Sequence, residues 1–219
     1  HSHRLAVLRS RSRLRLQSVL AVALASCVSA RTAPPSAAVA AAGPTVIVVR
    51  HAERAAEPAA DPGLTPAGEA RAAALAALLG GARVTGIVTT QFQRSRLTAA
   101  PLAARRGLTP VVVPASSPVA QHAAAVAAAA RAARGVGDTV VVVGHSNTVA
   151  AIVRALGGPP LADLCDREYA TLLAVTPLAA GTARVARSSY GAADPADALS
   201  CAGGARPAMT ATPPAAARR

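Results

Sequence analysis

Two histidines and two arginines carry most of the reactive chemistry in this 219-residue chain. Arg50-His51-Ala52-Glu53 follows the apolar run Thr45 to Val49, and Gly144-His145-Ser146 follows the apolar run Thr139 to Val143. Arg94 stands just past a third apolar run, Val84 to Thr90. A neutral imidazole nitrogen can attack phosphorus and form an N–P bond, dividing one displacement into two. A guanidinium holds nonbridging phosphoryl oxygens with a planar pair of N–H donors. A second imidazole, once protonated, stabilises charge on the group in transit. This combination points to phosphoryl transfer from a small phosphorylated substrate.

The set works only if the chain brings it together, so the elements between the motifs matter. Thr65-Pro66 opens a helix that runs to Leu79 and ends at Gly80-Gly81; Pro just inside the start and Gly just past the end are the usual punctuation. The spacing predicts further helices over Arg94 to Arg105, Pro118 to Arg134 and Ser146 to Leu156, the last one offering its positive end to an anion. Short strands are expected at Val84 to Thr90 and Val111 to Val113, and a terminal hairpin at Tyr169 to Val175 and Thr182 to Ser188. Continuous apolar strands alternating with helices imply an α/β fold: a single domain with a mostly parallel, doubly wound sheet and helices on both faces. Ligands bind such sheets at the carboxyl ends of the strands, which is where both histidines and both arginines fall.

The motifs resemble those of the histidine phosphatase superfamily, the phosphoglycerate mutase-like group. Arg50-His51-Ala52-Glu53 looks like its Arg-His-Gly/Ala signature. The stretch from Thr90 to Ala99, with Arg94 and Thr98-Ala99, is similar to its Ser-Ser-Pro-x-x-Arg-Ala/Thr-x-x-Thr-Ala segment, Leu64-Thr65-Pro66-Ala67-Gly68 to its helix start, and Gly144-His145-Ser146 to its second histidine. The resemblance spans roughly residues 44 to 189. It implies that His51 is the nucleophile, that Arg50, Arg94 and His145 bind the phosphoryl group with it, and that neither metal nor organic cofactor is required. Arg96 has the next claim after Arg94 but is expected to face solvent or an acidic neighbour.

One part of the family pattern is missing. A carboxylic acid usually protonates the leaving oxygen, yet no Asp or Glu occurs from Arg94 through Gly137, and Ser146 and Asn147 follow the second histidine. Glu53 and Glu168 are the remaining candidates for proton donor, with equal claims. His122 could replace a carboxylate but, alone on an Ala-rich helix, is expected to be a surface residue. Without the acid, substrates with good leaving groups are favoured over alkyl phosphates. The gap also keeps open a non-catalytic alternative, a lipoprotein that binds phosphorylated ligands through the same basic pocket. Gly144-His145-Ser146-Asn147-Thr148 resembles a serine-hydrolase elbow, but Thr148 stands where that turn needs Gly and no histidine follows His145.

Composition bounds the rest. The net charge is +13, but five arginines lie within the first fifteen residues and the others are scattered without aromatic interleaving, so nucleic acid is not the expected partner. The chain holds one Phe, two Tyr and no Trp, so its core is built from Ala, Val and Leu. Residues 1–27 have a basic segment, a short apolar segment and a small-residue processing site, as in a secretory leader. Leu24-Ala25-Ser26-Cys27 resembles a bacterial lipobox, which implies lipidation at Cys27, export to the cell envelope or periplasm, and membrane contact through that lipid anchor only. Residues 28–42 read as a tether, 43–191 as the catalytic domain and 192–219 as a disordered tail. Cys165 and Cys201 are the only other cysteines, and an oxidising compartment permits their pairing. No Cys-x-x-Cys or paired-His spacing suggests a metal site.

Overall fold

The computed structural model describes residues 43–132 and 137–198. The leader, the tether, Cys27 and Cys201 lie outside the described residues.

Six strands form one sheet: β1 Thr45–Arg50, β2 Val84–Thr89, β3 Val111–Val112, β4 Thr139–Gly144, β5 Thr171–Pro177 and β6 Ala183–Ser189. Their spatial order is β3-β2-β4-β1-β5-β6. The first four are mutually parallel; β5 runs antiparallel to β1, and β6 antiparallel to β5. The expected parallel sheet and terminal hairpin are both present. Among the described residues the α-helices are α1 Pro66–Leu78, α2 Gln93–Arg106, α3 Val119–Ala132 and α4 Val149–Ala155.

The apolar strands bury both faces, as continuous Val runs require. One core joins Val46, Val48, Val140 and Val142 to Ala123, Val126 and Ala127 of α3 and Ile152 and Val153 of α4. The other joins Ile47, Val49, Val141 and Val143 to Leu75 of α1 and Leu102 of α2. Alternate residues of β1 and β4 therefore serve opposite layers, which is the doubly wound arrangement in side-chain terms.

Two expected boundaries shift. The last helix begins at Val149 and not at Ser146, because residues 145–148 form a turn in which the Thr148 hydroxyl accepts the His145 N–H at 2.9 Å. A helix so short and so displaced does not aim its positive end as the sequence suggested. At the other end, residues 192–198 are packed against the domain and do not begin a disordered tail. Arg71 donates to the Ala192 carbonyl, and the Asp194 carboxylate accepts the N–H groups of Tyr169 and Ala170.

Candidate active site

Strand register builds the site. β1 and β4 pair with Arg50 opposite Gly144, so His51 and His145 emerge side by side one residue beyond the sheet. The His51 N–H donates to the Gly144 carbonyl at 2.9 Å, extending the ladder by one bond. β2 lies on the other side of β4, which carries Thr90 to His145. Both imidazoles are almost wholly buried, and their ring centroids are 5.3 Å apart.

The tautomers follow from the partners. Nδ1 of His51 lies 2.7 Å from the Ala52 carbonyl oxygen, which can only accept, so Nδ1 carries the hydrogen and Nε2 is left with its lone pair. The Thr90 hydroxyl donates to Ser95 Oγ at 2.9 Å and lies 3.0 Å from His145 Nε2. Its one hydrogen being used, Thr90 accepts from His145, so Nε2 of His145 carries the hydrogen. Burial, and then the field of His145, push the His51 pKa down to about 2. Burial, followed by Arg94, His122 and Arg50, pushes His145 to about 3. Both rings are neutral in this state. For His51 that is what a nucleophile needs; for His145 it means that the protonated form expected from the sequence must be brought about by an arriving anion.

The arginines are held from behind. Arg50 Nη1 donates to the carbonyls of Cys165 and Asp166, both at 2.8 Å, and to that of Glu168 at 3.3 Å. Its guanidinium lies 4.1 Å from the centroid of the Tyr169 ring. Arg94 sits at the start of α2, 4.2 Å from the centroid of Phe92 and 3.9 Å from an Asp61 carboxylate oxygen. Among the described residues, Nε of both arginines is buried without a hydrogen-bond partner. Burial lowers both pKa values, with Arg54 adding repulsion at each. One buried and one half-buried cation, each with an unsatisfied Nε donor, beside two neutral imidazoles, form a site that an oxyanion completes.

The Leu64-to-Gly68 motif explains itself physically. Thr65 caps α1 by accepting the Gly68 N–H at 3.1 Å, while its own N–H donates to the Glu53 carbonyl at 2.9 Å. A Cβ on Gly68 would fall 2.3 Å from that carbonyl oxygen. Only glycine lets the helix start press on the loop after His51.

Neither candidate proton donor is free for that task, which corrects the sequence reading. The Glu53 carboxylate accepts Arg71 Nε and Nη2, at 3.0 and 2.7 Å. Burial pushes its pKa up, but the Arg71 bonds outweigh that and hold it below the ordinary value, so it carries no proton to give. The Glu168 carboxylate accepts the Thr171 hydroxyl, Arg187 Nη2 and the Cys165 N–H. With Arg187 it lines a cavity of about 460 Å³ that also includes Val149, Leu164 and Leu173. Its backbone carbonyl, not its carboxylate, serves the site by holding Arg50. His122, expected on the surface, is 1 % exposed, with Nδ1 donating to the Pro114 carbonyl at 3.1 Å.

Sequence reasoning assigned no role to Thr98, Tyr169, Phe92 or Asp61. Thr98 Oγ1 accepts the Ala52 N–H, and Asp61 caps α2 by accepting the Gln93 N–H at 2.9 Å. For the two rings a signal existed: a chain with three Phe, Tyr and Trp residues in all makes each of them conspicuous.

Comparison with known proteins agrees with this geometry. Residues 46–116, which include Arg50, His51 and Arg94, match the family model described as histidine phosphatase superfamily, branch 1. Among solved structures, the protein histidine phosphatase SixA, determined with tungstate, is 19 % identical; the alignment covers 66 % of this chain and 96 % of that one, with a TM-score of 0.53. A mycobacterial glucosyl-3-phosphoglycerate phosphatase is 18 % identical over 68 % of this chain and 99 % of that one, with a TM-score of 0.52. These likenesses show a shared fold. No curated protein matches the chain.

Proposed function

We propose that the chain is a member of the histidine phosphatase superfamily and that it hydrolyses small phosphomonoesters through a phosphohistidine on His51. One observation carries the reading: a buried, neutral His51 whose Nδ1–H is tied to Ala52, leaving Nε2 nucleophilic beside two arginines with unsatisfied Nε donors.

In the first step Nε2 attacks phosphorus, and the P–O bond breaks with its electron pair leaving on the substrate oxygen. Arg50 and Arg94 hold the nonbridging oxygens throughout. The arriving phosphoryl anion opposes the fields that keep His145 neutral, so His145 takes up a proton on Nδ1 and turns that N–H to the phosphoryl group, its Nε2–H still held by Thr90. In the second step water attacks phosphorus, the N–P bond breaks back onto His51 Nε2, and phosphate departs. The chemistry draws on side chains alone and calls for no metal or organic cofactor. We extend the proposal to the whole chain as an exported lipoprotein anchored through Cys27, on the strength of Leu24-Ala25-Ser26-Cys27 after a basic and an apolar segment. Loss of lipid labelling in Cys27→Ala tests that part.

The phosphatase reading is tested by hydrolysis of p-nitrophenyl phosphate and acetyl phosphate, beside His51→Ala and with acid-labile phosphoenzyme trapped by quenching. Turnover and a trapped phosphoenzyme, both lost in the variant, support it. Folded protein that binds phosphate but turns over neither substrate would make it a phospho-ligand-binding protein instead.

A further inference from the structure

The chain has one Phe and two Tyr and no Trp, and two of these three rings stand at the site. Tyr169 lies 6.2 Å from the His51 ring, and Phe92 lies 5.6 Å from the His145 ring, edge to face at 86°. With the histidines 5.3 Å apart, four rings run in a row: Tyr169, His51, His145, Phe92. Each aromatic gives one face to a phosphate-facing arginine, Tyr169 to Arg50 and Phe92 to Arg94. Both remain partly exposed, while the histidines between them are covered. The two aromatic rings therefore flank the pair of histidines.

A second observation is independent of the first. The Glu53 carboxylate is engaged by Arg71 and the Glu168 carboxylate by Arg187, so each is held by a cation instead of being offered to a departing oxygen. A leaving group that departs unprotonated must carry its own negative charge, as an aromatic oxygen conjugated to its ring does far better than an alkoxide.

We propose that the substrates are phosphate monoesters of planar aromatic groups, with Phe92 and Tyr169 as the residues that select for the ring. This rests on the phosphohydrolase reading above and narrows its substrate class. As Nε2 of His51 bonds to phosphorus, the aryl P–O bond breaks and its electron pair moves onto the aryl oxygen, where the ring spreads the charge. The aryloxide takes its proton from water once released. Ring-to-ring contacts of offset or edge geometry favour such a group beyond its buried area.

Two measurements test this. The first uses unaltered protein: inhibition by phenylphosphonate against methylphosphonate, which carry the same charged head and differ in the ring. Phenylphosphonate binding about three- to tenfold tighter is expected from contact with one aromatic side chain; equal affinities overturn the proposal. The second compares kcat/KM for p-nitrophenyl phosphate with that for acetyl phosphate in Phe92→Leu and Tyr169→Leu. The aryl-to-acyl ratio should fall about three- to tenfold in at least one of the variants. An unchanged ratio in both would mean that the rings only brace the arginines, since weaker phosphoryl binding lowers both substrates together. If the unaltered protein hydrolyses neither substrate, it is the phosphatase reading that fails, and the phosphonate comparison still decides whether the rings select an aryl ligand.

Discussion

Thr98 Oγ1 accepts the Ala52 N–H at 2.9 Å and donates its own hydrogen to the Arg94 carbonyl, four residues back in α2, at 2.7 Å. One hydroxyl therefore joins the loop after His51 to the helix that carries Arg94. Ala52 is held at both ends, its N–H by Thr98 and its carbonyl by His51 Nδ1. The orientation of the His51 ring depends on that carbonyl, so a threonine on another element governs the aim of Nε2.

Replacing Thr98 by Val keeps the volume but leaves the buried Ala52 N–H without an acceptor. A stability loss of about 1–3 kcal/mol is expected, with phosphoenzyme formation slowed about tenfold because the imidazole loses its fixed tautomer and direction. Thr98→Ser should recover most of both. Urea denaturation and rapid-quench trapping measure the two effects, and unchanged trapping in Thr98→Val would show that Ala52 is held adequately without it.

Glu53→Gln separates a structural role from a chemical one. Arg71 is buried, so losing its carboxylate partner should cost about 2–4 kcal/mol, near the lower end for a buried pair because Glu53 is partly exposed. Turnover should stay within about threefold, since no proton comes from this residue. A variant of unaltered stability with turnover down about a hundredfold would restore Glu53 as the proton donor.

Arg50→Lys and Arg94→Lys should each weaken phosphate or tungstate binding about ten- to a hundredfold, because an ammonium cannot offer paired donors along one edge. The two should differ in stability. Arg50 also holds three carbonyls of the 165–168 loop, so its variant should melt several degrees lower, whereas Arg94→Lys should melt near the unaltered protein. Titration calorimetry and thermal scans give both readouts; equal melting losses would mean that the carbonyl contacts contribute little.

Stability should fall as the solution is acidified from about pH 6.5. The two site histidines titrate near about 6.5 when unfolded but at about 2 and about 3 in the fold. Between those values the unfolded chain binds more protons, so their contribution is present in full above about pH 6.5 and declines on acidification by up to about 1.4 kcal/mol per pH unit for each histidine. Urea midpoints recorded from pH 7 to pH 4 should show this slope, His145→Asn should reduce it, and saturating phosphate should reduce it by favouring protonated His145. A pH-independent midpoint would mean that the rings are not held neutral by the fold.

The amino-acid sequence by itself determined the layered sheet and the rim on which the site stands. Those features are local: Val runs that bury both faces of a strand, a Thr cap with Pro at the start of α1, a Gly at the end of α2, and Arg50-His51 and Gly144-His145 at strand ends where parallel sheets open to ligand. Tertiary structure alone decided which polar groups remain available. Glu53 is taken by Arg71 eighteen residues away and Glu168 by Arg187 nineteen residues away. His122 is buried by the contact of α3 with the sheet, and the turn that delays α4 to Val149 depends on one threonine hydroxyl. Placing β4 between β1 and β2 brings Thr90 to His145, and the loop after α4 returns Tyr169 to Arg50. Hydrogen-bond and ion-pair partners are chosen by proximity in space, which strand order sets and residue spacing along the chain does not.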